Sequence, residues 1–125
     1  MTLGEMEKRV RMIVGDRFET YRFSPGFVLT ALCEGVERLR DIRPESRYFN
    51  LSLFDWARPS GLSAEDSSDA DVAAAQAFEP YFDAKWNPAV ESFAAARCYE
   101  SDQSDTVNAQ LAAEQMAKFE KLAMS

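Results

Sequence analysis

Arg97-Cys98-Tyr99-Glu100-Ser101-Asp102-Gln103-Ser104-Asp105-Thr106-Val107-Asn108-Ala109-Gln110-Leu111-Ala112-Ala113-Glu114-Gln115-Met116-Ala117-Lys118-Phe119 holds the end of one helical pattern, a polar break and the start of another. Asn108, Ala112, Met116, Phe119 and Ala123 recur at three- and four-residue steps, which predicts a helix from Ser104 to Ala123 with one apolar stripe. Asp102-Gln103-Ser104-Asp105 cannot continue a buried face. Its side-chain oxygens suit a helix start, so Asp102 and Asp105 are expected to cap the last helix. Upstream, Asn87 and Pro88 supply a cap and a first residue that needs no N–H partner, opening a helix from Pro88 to Ser101. Val90, Phe93, Ala94 and Arg97 share its expected inner face. The whole stretch therefore reads as two antiparallel helices joined by a tight turn.

Arg97 is expected to bury its stem and pair with Asp102 or Asp105 rather than to contact DNA or a partner ring. Met116, Phe119 and Leu122 near the chain's end are either packing residues or a partner surface.

Working towards the N-terminus, Val72 to Phe78 could add a helical turn or two before Pro80, and Tyr81, Phe82 and Trp86 form an aromatic approach to the third helix. Ala57 to Asp71, rich in Ser, Asp, Gly and Pro, reads as an exposed loop. From Tyr48 the period shifts towards two, with Phe49, Leu51 and Leu53 alternating with Asn50 and Ser52. A strand there leaves backbone groups unpaired, and no second strand is visible in the chain. Either burial by the chain's own helices or pairing between subunits would satisfy it, and Phe49, Leu51 and Leu53 are the candidate subunit contacts in the second case.

Ser24 and Pro25 open a second helix that closes at Arg43, before Pro44. Leu29, Leu32, Val36 and Leu39 form its stripe, and Gly35 beside them would admit another backbone closely. Arg38, Arg40 and Arg43 suit its negative C-terminal end. Thr2 and Glu5 form a capping-box pattern, and Leu3, Met6, Val10 and Ile13 mark a first helix from Thr2 to Val14, stopped by Gly15. Glu7, Lys8 and Arg11 fall on its expected outer faces. The fold class is mainly α: a four-helix domain, single over 1–125, with a short extended or β middle segment.

Hydrophobic residues make up 46% of the 125, enough to build a modest core and to argue against disorder throughout. The formal charge of -7 argues against a broad nucleic-acid-binding face, which needs clustered Lys and Arg. No histidine is present, removing the commonest general base and metal ligand. Cys33 and Cys98 sit in helical patterns without a partner to activate them, and read as buried thiols of a reduced compartment. Glu65-Asp66-Ser67-Ser68-Asp69-Ala70-Asp71 lacks the glycine turn and terminal glutamate of a calcium loop, and the glycines are scattered singly. No catalytic, metal-binding or cofactor-binding residue is expected, and the chain is not expected to be an enzyme. No apolar run approaches the roughly 18 to 20 residues of a membrane span.

The order Arg97, Tyr99, Asp102, Asn108, Ala112 and Phe119 resembles the C-terminal helix pair of tailed-phage head-to-tail connector (adaptor) proteins. At the other end, Arg9-Val10-Arg11, Asp16, Phe23-Ser24 and Arg43-Pro44 are similar to that family's arginine-bearing helix, aspartate turn, aromatic-Ser cap and Arg-Pro helix end. The resemblance implies a structural virion protein, assembled in the host cytoplasm and resident at the head-tail interface. Its partners would be copies of itself in an about twelvefold ring, the portal protein, and a stopper or tail-completion protein. DNA would pass through the channel without specific binding. The middle departs from the family, whose members carry a longer, strand-rich segment where this chain has the short acidic stretch 57–71.

The acidic balance suits a channel, since lumen carboxylates repel phosphates over a Debye length of about 8 Å. It also suits a different class, a small acidic phage inhibitor that mimics DNA and binds a host nucleic-acid enzyme. Such a mimic needs carboxylates in rows along one face, whereas many acids here are expected as caps, turn residues or partners of Lys and Arg.

Overall fold

A computed structural model describes residues 1–16, 21–49, 52–53, 56–65, 67–80, 82–102 and 106–124. Thr2 starts α1 (Leu3–Val14) with the full capping box: its Oγ1 accepts from the Glu5 N–H at 3.2 Å, and Glu5 Oε1 accepts from the Thr2 N–H at 3.2 Å. Gly15 ends it in the left-handed region at φ 74°, where a side chain would be strained. Ser24 Oγ accepts from the Phe27 N–H at 3.2 Å to open α2 (Pro25–Ile42), with Pro25 in its first turn. Arg43 closes α2, and Pro44 then enforces a 3₁₀ turn over Pro44–Arg47.

The middle differs from the sequence reading. In place of one continuous strand there are two short ones, β1 (Tyr48–Phe49) and β2 (Ser52–Leu53), paired antiparallel with Tyr48 opposite Leu53 and Phe49 opposite Ser52. The missing partner is therefore supplied within four residues of chain. Further on, the acidic stretch ends in a true helix, α3 (Asp69–Ala77), making five α-helices among the described residues instead of four. Ser68 explains its start: Oγ accepts from the Asp71 N–H at 3.1 Å, and Asp69 and Asp71 place negative charge at the positive end.

A 3₁₀ turn, Ala84–Trp86, leads into α4 (Asn87–Ser101), and α5 (Thr106–Met124) completes the fold. Asn87 is not the cap that its position beside Pro88 suggested. Trp86 occupies that place without a side-chain cap, while Asp83 caps the 3₁₀ turn before it and buried Asn87 points towards the Met1 sulfur.

α4 is the axis of the core, touching α1, α2 and α5. Its residues from Ala89 to Ala96 are all buried, which requires a helix apolar or small nearly all round. Ala94, Ala95 and Ala96 let neighbours approach closely, and Phe93 fills the space against Phe119 in an edge-to-face contact with ring centroids 5.2 Å apart. On α2, a Cβ at Gly35 would lie 3.2 Å from the Val90 carbonyl oxygen, so the expected close approach is made by α4.

Candidate functional site

Some of the residues quoted at the two ends of the sequence meet through Asp16 and Arg22. Arg11, placed on an outer face by the sequence reading, is 3% exposed and its Nη1 donates to Asp16 Oδ2 at 2.9 Å and to the Phe23 carbonyl at 2.9 Å. Its Nε donates to Glu7 Oε2 at 2.9 Å, and the guanidinium lies over the Tyr21 ring, 3.8 Å from the centroid. Asp16 also accepts from the backbone N–H groups of Arg22 at 2.9 Å and Phe23 at 3.0 Å. One arginine thus serves two carboxylates, and one carboxylate fixes the entry of the chain into α2. The hidden signal was the Glu7–Arg11 spacing of one helical turn, which makes the pair self-neutralising and allows burial beside Val10 and Val14.

A second set of contacts ties the α4–α5 turn to the same region. Arg22 pairs with Asp102, the Asn108 amide donates to the Asp102 carbonyl at 2.8 Å, and the Tyr99 hydroxyl donates to the Ile13 carbonyl at 3.1 Å. At the far end of α2, Arg43 Nε donates to the Ala123 carbonyl near the close of α5. Asp102 is the C-terminal cap residue of α4 and its carboxylate holds Arg22, while the residues between it and α5, on which its expected capping of that helix turns, lie outside the described residues. Asp105 lies outside the described residues.

Arg97 is another correction. It is exposed rather than on the inner face, and among the described residues it pairs with Glu34 at 3.3 Å and Glu100 at 2.9 Å rather than with Asp102. Its position on α4 turns it towards α2, where Glu34 lies within reach, while its guanidinium lies 5.1 Å from the Phe93 centroid.

Among the candidate contact residues, Phe119 is 1% exposed and belongs to the core, because its ring packs edge-on to Phe93. Met116 and Leu122 are half-buried against the same core. Leu51 and the side chains of Phe49 and Leu53 lie outside what the structure describes. Ile13, expected on the apolar stripe of α1, is instead 36% exposed, Val14 taking the buried place, and the surface carries further apolar groups that the periodicity did not single out: Met12 at 61% exposure, Val107 and Met124, with Tyr48 exposed as well.

The acidic stretch is not a free loop. Glu37 on α2 accepts from the Trp56 indole at 3.0 Å and from Arg58 at 2.6 and 2.7 Å, and the bond to Arg58 holds the Glu37 carboxyl below its ordinary pKa. Ser24 donates to the Ala64 carbonyl at 3.3 Å, while Gly26 lets the Ser63 carbonyl approach α2.

Between α1, α4 and α5 lies a groove of about 260 Å³ lined by Arg9, Met12, Ile13, Pro88, Glu91, Ser92 and Lys118. Glu91 is 3% exposed; one carboxylate oxygen takes Arg9 at 2.9 Å and the other has no hydrogen-bond partner among the described residues. Burial raises the Glu91 carboxyl pKa, against the opposing pull of Arg9 and Lys118.

Cys33 and Cys98 are both free and buried, and desolvation pushes each thiol up to about 12. Among the described residues, no three Asp, Glu or Cys side chains gather as metal ligands, and no helix is long and apolar enough to cross a membrane. No family model, curated protein or solved structure matches the chain.

Proposed function

We propose that the chain is a structural virion protein, a subunit of the head-to-tail connector ring that docks under the portal and extends the DNA channel. The observation that carries this reading is the pair of networks joining the two ends of the chain. Arg11, Asp16 and Phe23 on one side, and Asp102 and Asn108 on the other, are residues that bear the resemblance, and Arg22 links the two sets. Part of a resemblance spread over distant sequence positions thereby gathers in space, while Arg9, Arg43, Arg97 and Phe119 make their contacts elsewhere.

The ion pairing supports this class over a DNA mimic. Glu34, Glu37, Glu91 and Asp102 each hold an arginine and Glu7 and Asp16 share Arg11, so these carboxylates are engaged in place rather than aligned as phosphate substitutes. The role asks for no catalysis by the chain: its work is to bind copies of itself, the portal and a stopper or tail-completion protein.

The experiment is co-sedimentation of the purified chain with DNA-filled, portal-bearing heads that lack their own connector. Saturable binding to heads, absent with portal-free shells, is the expected result. Binding to a host nucleic-acid enzyme in competition with DNA, with none to heads, would favour the inhibitor and overturn the connector.

A further inference from the structure

We propose that the groove between α1, α4 and α5 is one half of a head-to-tail contact between copies of this chain, and that it receives Glu65, Asp69 and Asp71 of the next copy. The inference deepens the connector reading and rests on it for its biological setting, although the contact itself is decided by the two surfaces.

Three observations carry it. First, the groove has an orphaned acceptor: Glu91 is 3% exposed, and the oxygen not held by Arg9 has no partner among the described residues. A buried carboxylate oxygen left so is costly, and a donor from an incoming chain, such as a backbone N–H, would satisfy it. Secondly, the rim is cationic and apolar in a chain of net charge -7: Arg9 and Lys118 stand around one carboxylate, with Met12 at 61% and Ile13 at 36% exposure beside them. An anionic segment is what such a rim attracts, and Glu65-Asp66-Ser67-Ser68-Asp69-Ala70-Asp71 is the densest run of acid in the sequence.

Thirdly, the two surfaces are different patches of the chain: Ser63 and Ser67, beside the acidic residues, lie against Gly26 on α2, whereas the groove is built by α1, α4 and α5. The α1 face bearing Gly4 and Glu7 packs on α3 through Gln76, whose amide donates to Glu7 at 2.9 Å. The groove uses Arg9, Met12 and Ile13, which helical geometry turns the other way. Two different patches make a heterologous contact, the kind that propagates from copy to copy and can close into a ring.

The test mixes 15N-labelled and unlabelled protein at low salt, up to the millimolar range, and couples touching amines to carboxylates with a zero-length carbodiimide. Mixed-isotope peptides joining Lys118 to Glu65 or Asp69 are expected. Lys118→Glu alone, or Glu65→Lys with Asp69→Lys, should abolish the self-association of each variant, and mixing the two variant proteins should restore contact between the intact groove of one and the intact acidic segment of the other. Circular dichroism of each variant checks that the fold is kept. Mixed-isotope links elsewhere but not at Lys118, or none at all, would overturn the groove contact. Head binding separates this from the functional reading: a wild-type chain that joins heads while the charge variants join equally well refutes the groove alone, and a chain that self-associates here yet never joins heads refutes the connector alone.

Discussion

The Arg11 guanidinium and the Asp16 carboxylate meet at 2.9 Å with both side chains almost fully removed from water. An ion pair so placed is a specificity device more than a source of net stability, because desolvating both charges offsets most of their attraction. Asp16 simultaneously holds two backbone N–H groups at the entry to α2, so the pair fixes how the first two helices are joined.

Removing one partner should therefore be far worse than its surface location in the sequence pattern suggests. Arg11→Met leaves Glu7 and Asp16 buried without their cation, and should cost about 3 to 5 kcal/mol in urea unfolding with little change in slope. A loss below about 1 kcal/mol would mean that water already reaches the pair.

Phe119→Ala should cost about 3 to 5 kcal/mol, since the ring fills the joint between α4 and α5 against Phe93. Thermal or chemical denaturation reads this directly. If Phe119 instead served a partner surface, the isolated domain would keep its midpoint.

Gly26→Ala should loosen the segment between β2 and α3. A Cβ at this position would sit 2.5 Å from the Ser63 carbonyl oxygen, so backbone must move, at about 1 to 3 kcal/mol. Limited proteolysis should then cut within 57–65 at rates the wild-type protein does not show. Equal protection would place the attachment at Glu37, Trp56 and Arg58 alone.

The pH dependence of Glu91 has a definite sign. Its folded pKa is raised above the ordinary 4.5, so the native state holds its proton longer than the unfolded chain does. That contribution to stability is complete below pH 4.5 and fades as the pH rises through the folded value. Relative to wild type, Glu91→Gln should gain stability as the pH climbs from 4.5 towards neutrality, measured by urea midpoints across that range. A difference that stays flat with pH would show that Arg9 cancels the burial.

Both thiols should resist a disulfide-exchange reagent in the native protein and react on unfolding, because burial holds them near 12. Rapid native labelling of either would show that α2 or α4 opens locally.

Helix starts were the most legible part of the sequence. Thr2 with Glu5 and Ser24 with Pro25 satisfy their own backbone donors, so short-range chemistry suffices to place α1 and α2. The mainly α class followed from these and from the stripes of Leu29, Leu32, Val36 and Leu39 on one helix and Val90, Phe93 and Ala94 on the other. Arg11 and Arg97 exchanged their expected places because periodicity ranks residues by polarity, and a polar residue buried with compensating partners defeats that ranking. Arg22 reaches Asp102 across 80 residues of sequence, a contact no window reveals. The pairing of β1 with β2 was missed because two-residue strands lack a measurable period. Met12 escaped notice for the converse reason: an exposed apolar side chain sits on no stripe.

The connector reading itself is tested most directly by electron cryomicroscopy of connector-deficient, portal-bearing heads incubated with the purified chain. The account expects a closed ring of helical subunits beneath the portal, coaxial with the DNA channel, with neighbouring copies touching through the α1–α4–α5 groove. Heads that bind no ring, or that bind scattered single copies on the capsid wall, would contradict it.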